Sequence, residues 1–311
     1  MKWIASAGAA VLAACSVAAQ EAETWYPSKY GPDDRLGAVA NLSAEKTAEA
    51  AQLITEGKTY ALGMITSRET PAYPPRRYDV YVMQPSDGSG TPLGENKAVG
   101  NDDLVQTFVG IGSQIDGLGH MGIDHYYYNG LHVSDFVTPA GLTQLGTQDI
   151  PPIATRGVLL DMTRVFNADP VPDGTAFNQA EIEEAAKLAG VEIGKGDVVL
   201  FHTGAMEAHE GSTELMATHP GLGVQGANYL ASLGVVAIGA DSAALEAIPF
   251  ENPARPFEVH QTLLAKHGVY ILENMVTEEL ADDGVSEFFF SLGVPRLNGT
   301  VQAIINPVAI R

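Results

Sequence analysis

Val198-Val-Leu-Phe-His202, the helix-forming run 225–233 and Val235-Val-Ala-Ile-Gly-Ala-Asp241 together decide the fold class of this chain. The two flanking runs are short, apolar and rich in β-branched residues, as strands covered on both faces are. The same alternation continues outward. Strand Gly157–Met162 and a helix over about 178–189 precede it; a helix near 257–267, strand Val269–Glu273, and the runs Phe288–Leu292 and Ala303–Ile310 follow. This order predicts an α/β fold, with helices covering a mixed sheet or barrel-like core. In the first half, Ser43 is placed to cap a helix over Ala44–Glu56 that Gly57 stops, and Tyr60–Ile65 and Tyr78–Met83 read as strands. Residues 20–40 read as an arm packed on the surface, and 66–77 and 85–102 as loops.

The chain has 311 residues, 45% of them hydrophobic, enough for a substantial core in one domain over 20–311. Its formal net charge of −21 argues against nucleic acid as a partner and predicts poor affinity for anionic membranes. Met1-Lys2-Trp3 and an apolar, Ala-rich run through Ala14 read as an export signal over 1–19, too short to span a bilayer. Cleavage after Ala19 predicts a periplasmic protein. The alternative is a lipoprotein signal, Leu12-Ala-Ala-Cys15, ending before a lipid-anchored Cys15 at the outer membrane. Either way the folded part has no cysteine, so disulfides, thiolate ligands and a cysteine nucleophile are excluded.

Some familiar signatures are absent. Gly221-Leu-Gly-Val-Gln-Gly226 matches a dinucleotide-binding loop by letter, but the polar run before it is no strand, so it reads as the entry to a helix. The chain contains no G-x-S-x-G, H-E-x-x-H or P-loop sequence.

Chemistry concentrates in Gly112-Ser-Gln-Ile-Asp-Gly-Leu-Gly-His120, followed by Asp124-His-Tyr-Tyr-Tyr-Asn-Gly130. Asp116 and His120 stand four apart among glycines that let the backbone approach a ligand, and Gln114 shares a face with Asp116 if the segment is extended. A buried structural Asp–His pair is the competing reading. His260 and Glu273 form a second candidate pair, because strand ends in α/β sheets are where ligands bind. His202, also at a strand exit, joins them. The ordinary alternative for each is a surface histidine or a solvated carboxylate. His209, His219 and His267 read as surface histidines.

These residues together resemble the cyclase-like metal-dependent hydrolases, which include bacterial kynurenine formamidase and isatin hydrolase. The family motif H-x-G-T-H-x-D-x-P-x-H falls on Gly110-Ile-Gly-Ser-Gln114-Ile-Asp116-Gly-Leu118-Gly-His120. The likeness continues through Gly37-Ala-Val-Ala-Asn-Leu, Gly194–Gly204, His219-Pro-Gly-Leu222, Gly239-Ala-Asp241-Ser, His260-Gln-Thr-Leu-Leu and Ile271-Leu-Glu273-Asn. The resemblance implies a swivelling β/β/α fold, a homodimer, Asp116, His260 and Glu273 as metal ligands, and His120 as general acid/base. Gly110, Gln114 and Leu118 replace two ligand histidines and the proline. The chain thus resembles a subgroup with Q-x-D-x-x-x-H, and its ligand set speaks for one divalent ion, Zn or Mn, and against a second.

The expected activity is hydrolysis of an amide, lactam, lactone or ester by water held on that metal. Asp116, His260 and Glu273, helped by Gln114, would hold it, and His120 would move the proton. His125, Tyr126, Tyr127, Tyr128 and His202 are the expected contacts to a small aromatic or cyclic substrate. Two alternatives remain: a metal-free cyclase or dehydratase using Asp116 and His120, and an exported binding protein without turnover.

Overall fold

The computed structural model describes residues 24–83 and 91–311; the expected leader, its cleavage point and Cys15 lie outside them. A nine-stranded mixed sheet curls into a half-barrel. Its strand order is Thr59–Ala61, Val308–Ile310, Glu287–Leu292, Ile153–Asp161, Val198–His202, Ala237–Ala240, Tyr270–Glu273, Gln114–Asp116 and Gln302–Ile304. The middle four strands, from Ile153–Asp161 to Tyr270–Glu273, run parallel, and the strands on both flanks are antiparallel.

The apolar runs that signal the fold occupy this parallel centre. Val198–His202, Ala237–Ala240 and Tyr270–Glu273 are buried at every residue, because helices cover one face and the curl of the sheet encloses the other. Glu287–Leu292, nearer an edge, instead alternates half-buried and buried residues. Gln179–Ala189 starts with a capping box in which Asn178 and Glu181 satisfy each other's free backbone groups, and it stops at left-handed Gly190. Val224–Leu233 starts immediately after Gly223, so Gly221–Gly226 is a helix entry, and Gly221–Leu222 also pairs with Ala176–Phe177.

Three local features differ from the sequence reading. The helix after Ser43 is α-helical only to Ala50 and tightens to a 3-10 turn over Ala51–Leu53. Tyr78–Met83 pairs with an unanticipated strand, Asp102–Thr107. That strand is exposed at all but its last residue, so no buried face imposed an alternating pattern on its sequence. The helix near 257–267 has only a short α-helical start, Glu258–His260, and widens into a π-helical turn, Gln261–His267. Among the described residues no helix is long and apolar enough to cross a membrane.

Candidate active site

Asp116, His260 and Glu273 converge although up to 157 positions separate them: each offers a ligand atom within 4.8 Å of the others'. Strand register explains two of the three. Glu273 lies directly across from Gln114, and Gln302 lies directly across from Asp116 on the other neighbour. Residues 114 and 116 point to the same face, so four polar side chains from three strands meet there, while Ile115, Leu272 and Ala303 fill the core on the opposite face. His260 enters from the helical segment immediately before the π-helical turn.

The hydrogen bonds leave Asp116 one tied oxygen and one open one, and divide the oxygens of Glu273 between Gln114 and His260. Asp116 Oδ1 accepts from Gln302 Nε2 at 2.7 Å and Gln114 Nε2 at 3.0 Å, and Glu273 Oε2 accepts from Gln114 Nε2 at 2.8 Å. Asp116 Oδ2 is buried with no hydrogen-bond partner; it lies 3.6 Å from His260 Nε2, which is 3.2 Å from Glu273 Oε1. His260 Nδ1 donates to Glu246 Oε1 at 2.6 Å, the carboxylate–imidazole pairing that turns the other ring nitrogen toward a metal. Two carboxylate oxygens and one imidazole nitrogen, one oxygen unsatisfied, form a donor set that fits a divalent ion of the Zn or Mn type.

The charges are strongly coupled. Burial first, then the nearby Asp116 charge, pushes the Glu273 carboxyl up to about 7. Burial also works against ionised Asp116, but His120, His260 and the Gln302 amide outweigh it and bring that carboxyl down to about 2. Burial opposes charge on His260 as well, yet the carboxylates of Asp116, Glu246 and Glu273 around its ring raise it well above an ordinary histidine. Three carboxylates around one imidazole concentrate negative charge that a divalent ion would balance.

His120 sits at the edge of this cluster, with Nε2 3.8 Å from Asp116 Oδ2 and a side chain 18% exposed. Its pKa is lowered mainly by burial, with Asp116 working in the other direction. A small recess beside Glu273 and Gln114 is also lined by Tyr73 and Arg76. The Tyr73 hydroxyl is buried without a partner, and burial raises it to about 12, so it remains a donor. Arg76 is anchored by Nη1 to the Gly110 carbonyl at 2.6 Å. Pro71, Met216 and Asn274 line both this recess and a larger cavity of about 620 Å³, whose wall also includes Met64, Met206 and Leu215.

Of the other candidate residues, only Gln114 is in this cluster. Gln114 presents its amide nitrogen to the carboxylates, because two anions beside one amide select its donor end; it supports the site as a donor and not as an oxygen ligand. Tyr128 is fully buried, its hydroxyl held by Ser28 Oγ and Asp34 Oδ2 at 2.6 Å, while Asn129 bonds the carbonyls of Gly31, Pro32 and Asp34. The Tyr-Asn-Gly turn thus clamps the N-terminal arm. Tyr126 stacks on Tyr26, Tyr127 packs edge-on against Phe136, and His125 lies near His132; none of these lines the two cavities. His202 belongs to a separate buried group with Glu207 and Asp241, its Nδ1 2.9 Å from Thr277 Oγ1. His219, read as a surface residue, is fully buried with Nδ1 on the Pro220 carbonyl, and His267 is part-buried.

Glu246, Gln302, Tyr73 and Arg76 were not evident in the sequence. Each acts through strand register or a loop approach, and none stands in a motif of its own.

Comparison with known proteins agrees with this architecture. The family described as Putative cyclase matches residues 37–247. Kynurenine formamidase of Bacillus cereus is 30% identical over 127 residues, which cover 37% of this chain and 57% of that enzyme. The chain thus matches little more than half the length of that relative. A crystal structure of a novel cyclase superposes with a TM-score of 0.82 at 27% identity, covering 91% of this chain and 96% of the other. Isatin hydrolase A from Ralstonia solanacearum shares the fold, with a TM-score of 0.63 at 15% identity over 87% of this chain and 98% of that one.

Proposed function

The chain belongs to the cyclase family, and from that premise we propose that it is a metal-dependent hydrolase of an amide, lactam, lactone or ester in a small, uncharged, largely apolar substrate. The observation that carries this reading is the buried meeting of Asp116 Oδ2, Glu273 Oε1 and His260 Nε2, with the Asp116 oxygen lacking any hydrogen bond. The similarity to kynurenine formamidase supports hydrolysis as the reaction class.

Asp116, Glu273 and His260 would hold the ion. A bound divalent ion supplies Lewis acidity, polarising a carbonyl and making water a competent nucleophile near neutral pH. His120, whose Nε2 lies 3.8 Å from Asp116 Oδ2, would take the proton from the attacking water and return it to the leaving group. Tyr73 and Arg76 line the recess next to Glu273, where the Tyr73 hydroxyl donates to the oxygen on which charge develops. The body of the substrate occupies the adjoining cavity of about 620 Å³, of a size that suits a small organic molecule. Its wall carries Glu207, Glu210 and Glu278 and neither Lys nor Arg, which disfavours an anionic substrate.

Metal analysis of protein purified without chelators tests the reading, alongside Asp116→Ala and His260→Ala and a panel of uncharged amides, lactones and esters. Bound metal in the parent protein, lost in both variants, with chelator-sensitive turnover, is the expected result. Metal-free protein that turns over the same panel would defeat it and favour direct proton transfer by Asp116 and His120.

A further inference from the structure

We propose that Gln302 is a positioning residue of the metal centre, which with Gln114 selects the carboxylate oxygens that face the ion and restricts the site to a single cation. The inference rests on the metal reading above and adds residues to it. Gln302 comes from the strand next to Gln114–Asp116, 186 positions from Asp116, and its amide nitrogen is 2.7 Å from Asp116 Oδ1. Gln114 Nε2 reaches the same oxygen and also Glu273 Oε2, so one amide holds two carboxylates side by side.

Two physical consequences follow. The N–H groups would repel a cation from Asp116 Oδ1 and Glu273 Oε2, leaving Oδ2 and Oε1, on the side of His260 Nε2, as the oxygens that would hold it. A second ion on the tied side would have to displace both neutral amides. The amides therefore orient the ligands without adding charge.

Gln302 can occupy this place because position 110 has no side chain. A Cβ at Gly110 would lie 2.2 Å from Gln302 Oε1 and 2.7 Å from its Nε2, too close for any real contact. Gly110 and Gln302 are thus sterically coupled, and even a methyl group at 110 would push the amide from Asp116. The Gln302 nitrogen is also 3.5 Å from His120 Nε2, which places it between the ligand carboxylate and the proton-moving imidazole.

Titration of the full-length protein with Mn²⁺ alone, with affinity measured by chelator competition and the melting temperature of the metal-free form followed in parallel, tests the assignment. One ion per chain is expected. Gln302→Leu and Gly110→Ala should each weaken Mn²⁺ binding about 10–100-fold, the usual effect of losing a group that orients a ligand. The double variant should be no weaker than the weaker single, because both substitutions remove the same contact. Gln302→Leu leaves the backbone unaltered but removes a donor from a buried carboxylate, so the metal-free melting temperature is followed to show that the variant still folds cooperatively while its Mn²⁺ affinity falls. Two ions per chain, or a Gln302→Leu affinity within about twofold of the parent, would overturn the proposal while leaving the metal reading intact. Failure of the parent protein to bind any Mn²⁺ would overturn both.

Discussion

Glu246 Oε1 accepts from both the backbone nitrogen of His260, at 3.2 Å, and its ring Nδ1, at 2.6 Å. One carboxylate thereby fixes the position, rotation and tautomer of the imidazole, leaving Nε2 as the atom that faces Asp116 and Glu273. The π-helical turn Gln261–His267 begins directly after His260, and such widened turns are frequent at functional sites.

Glu246→Gln should therefore weaken divalent metal binding about 10–100-fold, because an amide no longer enforces the Nδ1–H tautomer. Chelator competition on the purified variant measures this. Unchanged affinity would show that the packing of His260 alone sets its orientation.

His120 stands just outside the three-ligand cluster, so its removal should separate proton transfer from metal binding. His120→Gln is expected to lower kcat about 10²–10⁴-fold, the range for loss of a general acid/base, with bound metal unchanged. Parallel loss of metal would make His120 a ligand instead.

Tyr73 provides a different test, because its hydroxyl is buried without a partner and stays protonated across the working pH range. A donor of this kind matters most where charge develops. Tyr73→Phe should reduce kcat about 10²-fold while changing KM little. A rise in KM at constant kcat would assign the hydroxyl to ground-state binding.

The parallel centre of the sheet was legible because Val198–His202, Ala237–Ala240 and Tyr270–Glu273 are covered on both faces and so are written in nearly continuous apolar residues. Asp116 and His120 were legible from their glycine-rich setting and Glu273 from its strand end, whereas His260, early in a helix, was singled out as a ligand only by the family resemblance. Their supports were not legible. Gln302 and Glu246 matter through cross-strand register and tertiary approach, which leave no local pattern around either residue. The three phenols misdirected for a related reason: a Gly-flanked aromatic run has the same composition whether it lines a pocket or, like Tyr128, clamps the N-terminal arm.

His267, at the end of the π-helical turn, gives a pH prediction away from the metal site. Its Nε2 donates to Asn228 Oδ1 at 2.9 Å. Burial first, then Lys29 and Lys266, lowers its pKa from 6.5 to about 4, so the folded protein holds it neutral where the unfolded chain binds a proton. Its contribution to stability is present above about pH 6.5 and is lost as pH falls through about 4. Partial exposure screens the effect, which should be on the order of 1 kcal/mol. His267→Gln retains a donor for Asn228 but cannot titrate. Urea unfolding at intervals from pH 7 to pH 4 should show a shallower loss of stability for the variant than for the parent, and parallel curves would remove His267 from the acid response.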